Sequence, residues 1–235
     1  MENYYKIAGL LVKLDTFGRT FAQAQPYKCA PVGEPDVVIK ADWAAVKEKY
    51  PTLPDETCEY LRSGMYFYKA LIDFGGMMLH SSAVVVDGKA YLFAADPGTG
   101  KSTHTGLWLK KFGDRAFILN DDKPALRLEE DGWFAYGTPW SGKYDISVNA
   151  RVPVAGIAVV ERGEENRVDP FGGIQAVRAI LRQVNRPKAA EYRVKLLELL
   201  DKLITQVPIW KLRCNMDPEA VEVSYKAMSG MQKEN

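Results

Sequence analysis

Apolar positions along the chain fall into short clusters, and their spacing switches between two periods. Residues 4–14 read as one strand, with 16–19 as a turn, and Val37-Val38-Ile39 as a short buried strand. Asp42 is placed to cap a helix running through Tyr50. From Asp55 to Leu79 the apolar positions Tyr60, Leu61, Met65, Tyr68, Leu71 and Ile72 recur at helical spacing, until Gly75-Gly76 ends or bends the helix. The character then changes. Ala83–Val86 and Lys89–Phe93 are two β-runs joined by Asp87-Gly88, a strong hairpin turn. A helical pattern covers Thr103 to Phe112, a buried strand Ala116–Leu119, and a second hairpin pairs Ala125–Leu128 with Trp133–Tyr136. Beyond an irregular loop at 137–143 come a strand at 152–160, helices at 174–183 and 190–206, a strand at 208–212, a helix from Asp217 to about Met228, and a frayed tail at 232–235.

Strands alternating with helices imply an α/β (α+β) protein with a mixed sheet and flanking helices. The expected division is a small N-terminal α+β lobe over residues 1–75 and a core over residues 76–235, or one compact domain. Composition narrows the setting. With 31 basic and 30 acidic side chains and a net charge of +1, no global field draws the chain to nucleic acid or to a membrane. Three scattered cysteines fit reduced thiols better than a disulfide framework or a zinc site. No apolar run spans a bilayer and the N-terminus lacks the order of a signal peptide, so a cytoplasmic protein is expected.

The chemistry concentrates after the first hairpin. Asp96-Pro97-Gly98-Thr99-Gly100-Lys101-Ser102-Thr103 lies between a strand and a helix, the context of a phosphate-binding loop. Glycines let successive N–H groups turn inward around phosphate oxygens, and the helix adds its positive dipole end. Lys101 would reach the terminal phosphates of ATP, and the Ser102 hydroxyl would ligate Mg2+. Ala95 stands where the motif carries glycine. A left-handed alanine costs about 1–2 kcal/mol, less than the several charged hydrogen bonds such a loop makes at about 1.5–3 kcal/mol each.

Asp121-Asp122 follow Lys101 by 20 and 21 residues at the end of an apolar strand, where such proteins hold their metal-binding carboxylate. Adjacent side chains at a strand end point in different directions, so one acid can serve the metal while the other faces an acceptor. His80 lies 21 residues before Lys101 and is placed to orient a carboxylate; His104 is given no role. Trp140, Ser141 and Lys143 form a candidate acceptor-side loop, and Arg162, at a strand end, is a candidate phosphate contact.

His80, the loop at 95–102 and the Asp121-Asp122 pair, in this spacing, resemble the kinase core of the HPr kinase/phosphorylase family, which is akin to the phosphoenolpyruvate carboxykinases. The resemblance covers about residues 76–165. It departs at Ala95 and Asp96-Pro97, and the family's large N-terminal domain has no counterpart here. It implies that core fold, with Asp121 as the base that accepts the hydroxyl proton, His80 beside it, Asp122 and Ser102 on magnesium, Lys101 on the phosphates, and self-association into oligomers. The resulting expectation is an ATP- and Mg2+-dependent kinase of a hydroxyl acceptor, most simply a small molecule. The alternatives are a kinase of a protein or peptide serine, a carboxykinase-like enzyme, or a non-catalytic nucleotide sensor. The acceptor, and the choice of ATP, GTP or pyrophosphate as donor, stay open.

Overall fold

The computed structural model describes residues 3–40 and 42–230; the tail at 232–235 lies outside the described residues. A three-stranded sheet begins the chain: β1 (Tyr4–Ile7), β2 (Leu10–Leu14) and β3 (Val37–Ile39), with β2 antiparallel to β1 and parallel to β3. The single strand expected over 4–14 is thus a hairpin. Ala8 and Gly9 both take positive φ, of 50° and 80°, and make the two-residue turn whose twist suits paired strands. Residues 18–24 form helix α1 (Gly18–Ala24), where the expected turn contributes only the entry. Helices α2 (Ala44–Lys49) and α3 (Asp55–Ala70) follow, and Asp42 Oδ1 accepts the Ala44 N–H at 3.2 Å. A 3-10 turn, Leu71–Phe74, then leads through left-handed Gly75 into β4 (Gly76–Met78), so the helical run ends at the Gly75-Gly76 pair, its last turn tightened to 3-10.

The larger, mixed sheet holds β4, β5 (Ser81–Val86), β6 (Lys89–Ala94), β7 (Ala116–Asn120), β8 (Ala125–Glu129), β9 (Gly132–Tyr136), β10 (Arg151–Arg162), β11 (Arg167–Pro170) and β12 (Ile209–Cys214). Its main path runs β4-β8-β9-β10-β6-β5-β7, and β12 pairs β10 and β11. Strand β5 lies antiparallel between β6 and β7, while β10 is parallel to both β6 and β12. The ends of β6, β7, β10 and β12 therefore reach one edge of the sheet, where β5 begins. The carboxyl ends of such strands are where α/β proteins build their sites.

Alternation along β5 explains the layers. Ala83 and Val85 face one way, into a core completed by α5 (Gly173–Gln183) and α6 (Ala190–Gln206) through Ile180, Leu196 and Leu203. Val84 and Val86 face the other, toward α4 (Lys101–Phe112) and α7 (Glu219–Met228) through Trp108, Val221 and Met228. A further core joins the N-terminal sheet and α3 to Ala125, Phe134, Tyr136 and Trp140. Among the described residues no helix is long and apolar enough to cross a membrane, and the three cysteines are free.

His104, on α4, is buried with its Nε2 accepting the Trp108 indole N–H at 3.1 Å, beside the Ser224 hydroxyl at 3.2 Å. Burial lowers its pKa from 6.5 to about 4. The unfolded chain therefore takes up this proton first on acidification. The stabilisation is complete above pH 6.5 and lost as pH falls toward 4, on the order of 3 kcal/mol in total. Thermal midpoints measured between pH 7 and 4.5 are expected to fall more steeply for the native chain than for His104→Gln. Parallel pH profiles would contradict this account.

Candidate phosphate-loop site

Strand β6 ends at buried Ala94, and the loop that follows curls back through Gly98 (φ 79°) and Gly100 (φ 116°), which occupies the position before the first turn of α4. Ala95 is absent from the positive-φ residues, so the substitution for glycine causes no backbone strain there. The Thr99 N–H bonds to the Asp96 carbonyl at 3.2 Å and the His104 N–H to the Gly100 carbonyl at 2.9 Å, closing the loop onto the helix. Arg162, at the end of β10, does not point freely at a ligand. Its guanidinium holds the carbonyls of Gly98 and Thr99 at 2.6 and 3.2 Å, so it shapes the loop. A cleft of about 460 Å3 on one side of this tether is lined by residues 95–99, Arg182 and Gln183. A second, of about 420 Å3, lies on the other side against Thr103, Leu107 and Met216.

Lys101 is buried and its ammonium donates to the Ala95 carbonyl at 2.9 Å. Burial lowers its pKa; Asp122, Asp121 and Asp96 pull in the opposite direction without cancelling it. Three carboxylates thus act on this one lysine through their charge.

The aspartates divide, but not as the resemblance implies. Ser102 Oγ donates to Asp121 Oδ2 at 3.0 Å, and Ser82 Oγ to Asp121 Oδ1 at 2.7 Å. His80 Nε2 lies 3.1 Å from Asp122 Oδ1, and Lys123 Nζ 2.9 Å from Asp122 Oδ2. The expected pairings, His80 with Asp121 and Ser102 with Asp122, are exchanged. The cause is local. Consecutive side chains at a strand end alternate in direction, and the β5–β7 register shifts between Ala83 and Val84, directly before these acids. Counting residues along the strand does not reveal that shift.

Burial would raise the Asp122 pKa, but the His80 hydrogen bond and the Lys123 ammonium outweigh it and bring the carboxyl down to about 2. Asp122 is therefore an anion across the neutral range. His80 is anchored in turn: its Nδ1 meets Gln183 Oε1 at 3.0 Å, and Gln183 Nε2 donates to Asp96 Oδ1 at 3.0 Å. A carboxylate only accepts, so Asp96 fixes which way the amide faces. A continuous line, Asp122–His80–Gln183–Asp96, ties the acid pair to the glycine loop. Gln183, Ser82 and Lys123 carried no signal in the sequence, because each acts through partners distant along the chain.

The loop at 137–143 is mostly wall. Trp140 has no exposed surface: its ring stacks on Phe67 at 5.0 Å and its indole N–H donates to Ser63 Oγ at 3.1 Å. The indole is thus part of a packed wall and not a side chain standing out in solvent. Ser141 is also buried, its hydroxyl without a partner, and exposed Lys143 sits over the Tyr144 ring. Gly142, by contrast, is required. It has φ 76°, and a Cβ built there would fall 2.5 Å from Asp122 Cβ.

Among the described residues no three His, Cys, Asp or Glu side chains cluster to hold a metal on their own. Asp121 and Ser102 nevertheless offer two hard oxygen donors, the kind of partial set that suits a magnesium ion arriving with nucleotide phosphates and water.

A family model described as SynChlorMet cassette protein ScmC matches residues 56–226, and the chain belongs to that family. No curated protein matches it. Among solved structures it is similar to the Hpr(Ser) kinase/phosphatase from Coxiella burnetii, at 10% identity and a TM-score of 0.38, over 66% of this chain and 99% of that one.

Gly142→Ala is expected to destabilise the protein by about 2 kcal/mol or more, from strained φ and the collision with Asp122. Gly88→Ala, with φ 75° in open space, should cost only the conformational part, about 1 kcal/mol. Denaturant unfolding compares them, and equal losses would mean that Asp122 yields without cost.

Proposed function

We propose that this member of the ScmC family is an ATP- and Mg2+-dependent phosphotransferase that passes the γ-phosphoryl group to the hydroxyl of a small-molecule acceptor. The observation that carries the reading is the contact of Ser102 with Asp121 at the mouth of a glycine loop, with a separate, histidine-anchored Asp122 beside it. A bare glycine turn before a helix has no need of either carboxylate.

The residues divide the work as follows. The N–H groups of the loop and the dipole of α4 surround the phosphates, and Lys101 leaves the Ala95 carbonyl to meet them. Asp121 and Ser102 are the protein's ligands for magnesium, which when bound would neutralise charge on the phosphate oxygens. Asp122 faces the acceptor. The acceptor oxygen bonds to the γ-phosphorus as the bond from that phosphorus to the β–γ bridging oxygen breaks. ADP leaves with the electron pair, and the hydroxyl proton passes to Asp122. A carboxylate with so low a pKa is a weak base, which suffices where the transition state is loose and the proton leaves late. Its larger service is to hold the hydroxyl in line, and His80 and Lys123 keep it from turning away. Arg162 and Gln183 act through the loop and His80, so they are positioning residues.

The exchanged pairings exchange the roles, and the two aspartates separate in a kinetic test. Asp122→Asn is expected to lower kcat about 10²–10⁴-fold while a fluorescent ATP analogue still binds. Asp121→Asn should raise the magnesium concentration needed for half-maximal turnover, and Lys101→Ala should weaken nucleotide binding itself. Full activity in Asp122→Asn with loss in Asp121→Asn would restore the opposite assignment. Binding without turnover for any acceptor tried would favour a sensor.

A further inference from the structure

Between the N-terminal helices and the acid pair lies a cavity of about 500 Å3 that the loop chemistry does not use. Trp140, Tyr68 and Met78 line its inner wall. Its rim carries Tyr50, Leu61 and Met65, which are 46%, 41% and 48% exposed, an unusual grouping of large apolar side chains in water. Volume and apolar lining are those of a small-molecule site.

Its charge is one-sided. Lys49, Arg62, Lys123 and Lys188 line the cavity and no carboxylate does. Lys123 is paired with Asp122. Among the described residues the other three have no acidic partner: Arg62 donates to the Asp42 carbonyl and the Tyr66 hydroxyl, and Lys49 sits over the Tyr50 ring. Cations left unpaired along an apolar wall complement an anion that brings its own apolar surface. Lys123 joins this cavity to the acid pair, since its ammonium lies 2.9 Å from Asp122 and 5.2 Å from the centre of the Tyr60 ring.

We infer that this cavity receives the phosphoryl acceptor, and that the acceptor is a small amphipathic acid. It has an apolar body of about aromatic size, an anionic group held by Arg62, Lys49 or Lys188, and a hydroxyl that reaches Asp122 past Lys123. The inference rests on the kinase reading for the word acceptor. The ligand class rests on the cavity alone.

N-benzyloxycarbonyl-L-serine carries all three features, its methyl ester lacks the charge, and N-acetyl-L-serine lacks the aromatic body. Each is titrated calorimetrically into the full chain holding magnesium and a non-hydrolysable ATP analogue, then offered with ATP as an acceptor. The free acid is expected to bind about tenfold more tightly than the ester, the worth of one charge-assisted hydrogen bond. Lys188→Glu or Arg62→Glu should shrink that difference by weakening the acid more than the ester, and Met65→Glu should weaken acid and ester alike. Equal binding of acid and ester, or of the benzyloxycarbonyl and acetyl compounds, overturns the inference. So does label transfer to a serine peptide blocked at both ends when the free acid is inert. The same titrations keep the two claims apart. Acid that fails to bind while the nucleotide binds sinks this inference only, whereas a nucleotide that fails to bind sinks the kinase, and the acceptor role with it.

Discussion

The site depends on one strand being paired on both sides. β5 runs antiparallel between β6 and β7, which makes those two parallel to each other and brings their carboxyl ends to the same edge. One delivers the glycine loop and the other the aspartates, while β5 itself starts there with Ser81 and Ser82, directly after His80. The segment past β7 stays aligned because the Ser81 N–H donates to the Asp122 carbonyl at 3.1 Å and the His80 N–H to the Gln183 carbonyl at 2.7 Å. Backbone bonds of this kind fix the acids before any side chain is considered. Ser82 then fixes one carboxylate further, since its hydroxyl lies between Asp121 Oδ1 and Thr105 Oγ1, at 2.7 and 2.9 Å.

Three carboxylates converge on this edge, and each is compensated differently. Asp121 accepts from two hydroxyls, Asp122 meets a lysine and a histidine, and Asp96 takes an amide N–H from Gln183. Neutral hydroxyls face Asp121, whereas the His80 hydrogen bond and the Lys123 ammonium hold Asp122 down to about 2. That asymmetry, more than position in the sequence, distinguishes the surroundings of the two adjacent acids. Lys101, its ammonium bonded to the Ala95 carbonyl, feels the charge of all three, which opposes the effect of its burial.

Much of this edge is legible in the sequence because its signals are local. Asp87-Gly88 with positive φ at both residues, the glycines at 98 and 100, and the apolar runs of β5 and β6 are short-range patterns, and each forms as read. What was hidden depends on contacts between distant residues. Ala8-Gly9 divides an apparently continuous strand because an alanine takes a left-handed conformation that its own side chain disfavours. β4 and β11 are short and acquire strand character only by pairing with β8 and β12. Trp140 looks exposed in a loop rich in turn formers, yet the ring is accommodated by Gly64, where a Cβ would come within 2.9 Å of it. The exchanged aspartates belong to the same class, set by a register shift on the neighbouring strand.

The N-terminal segment, which carries no catalytic motif of its own, proves to build one side of the site. Tyr60, on α3, accepts the Gly142 N–H at 3.0 Å, and the Arg19 and Lys123 cations lie over its ring at 4.4 and 5.2 Å. Arg19 also binds Asp145 and the Gly142 carbonyl, so α1 and α3 together grip the loop that presses on Asp122. Phe67 and Ser63, from the same helix, hold Trp140 beneath it. Gly142 can approach Asp122 so closely only while these contacts keep its loop in place. Asp122 is therefore positioned from both directions: from the sheet through backbone pairing, and from the N-terminal helices through one tyrosine and one buried indole.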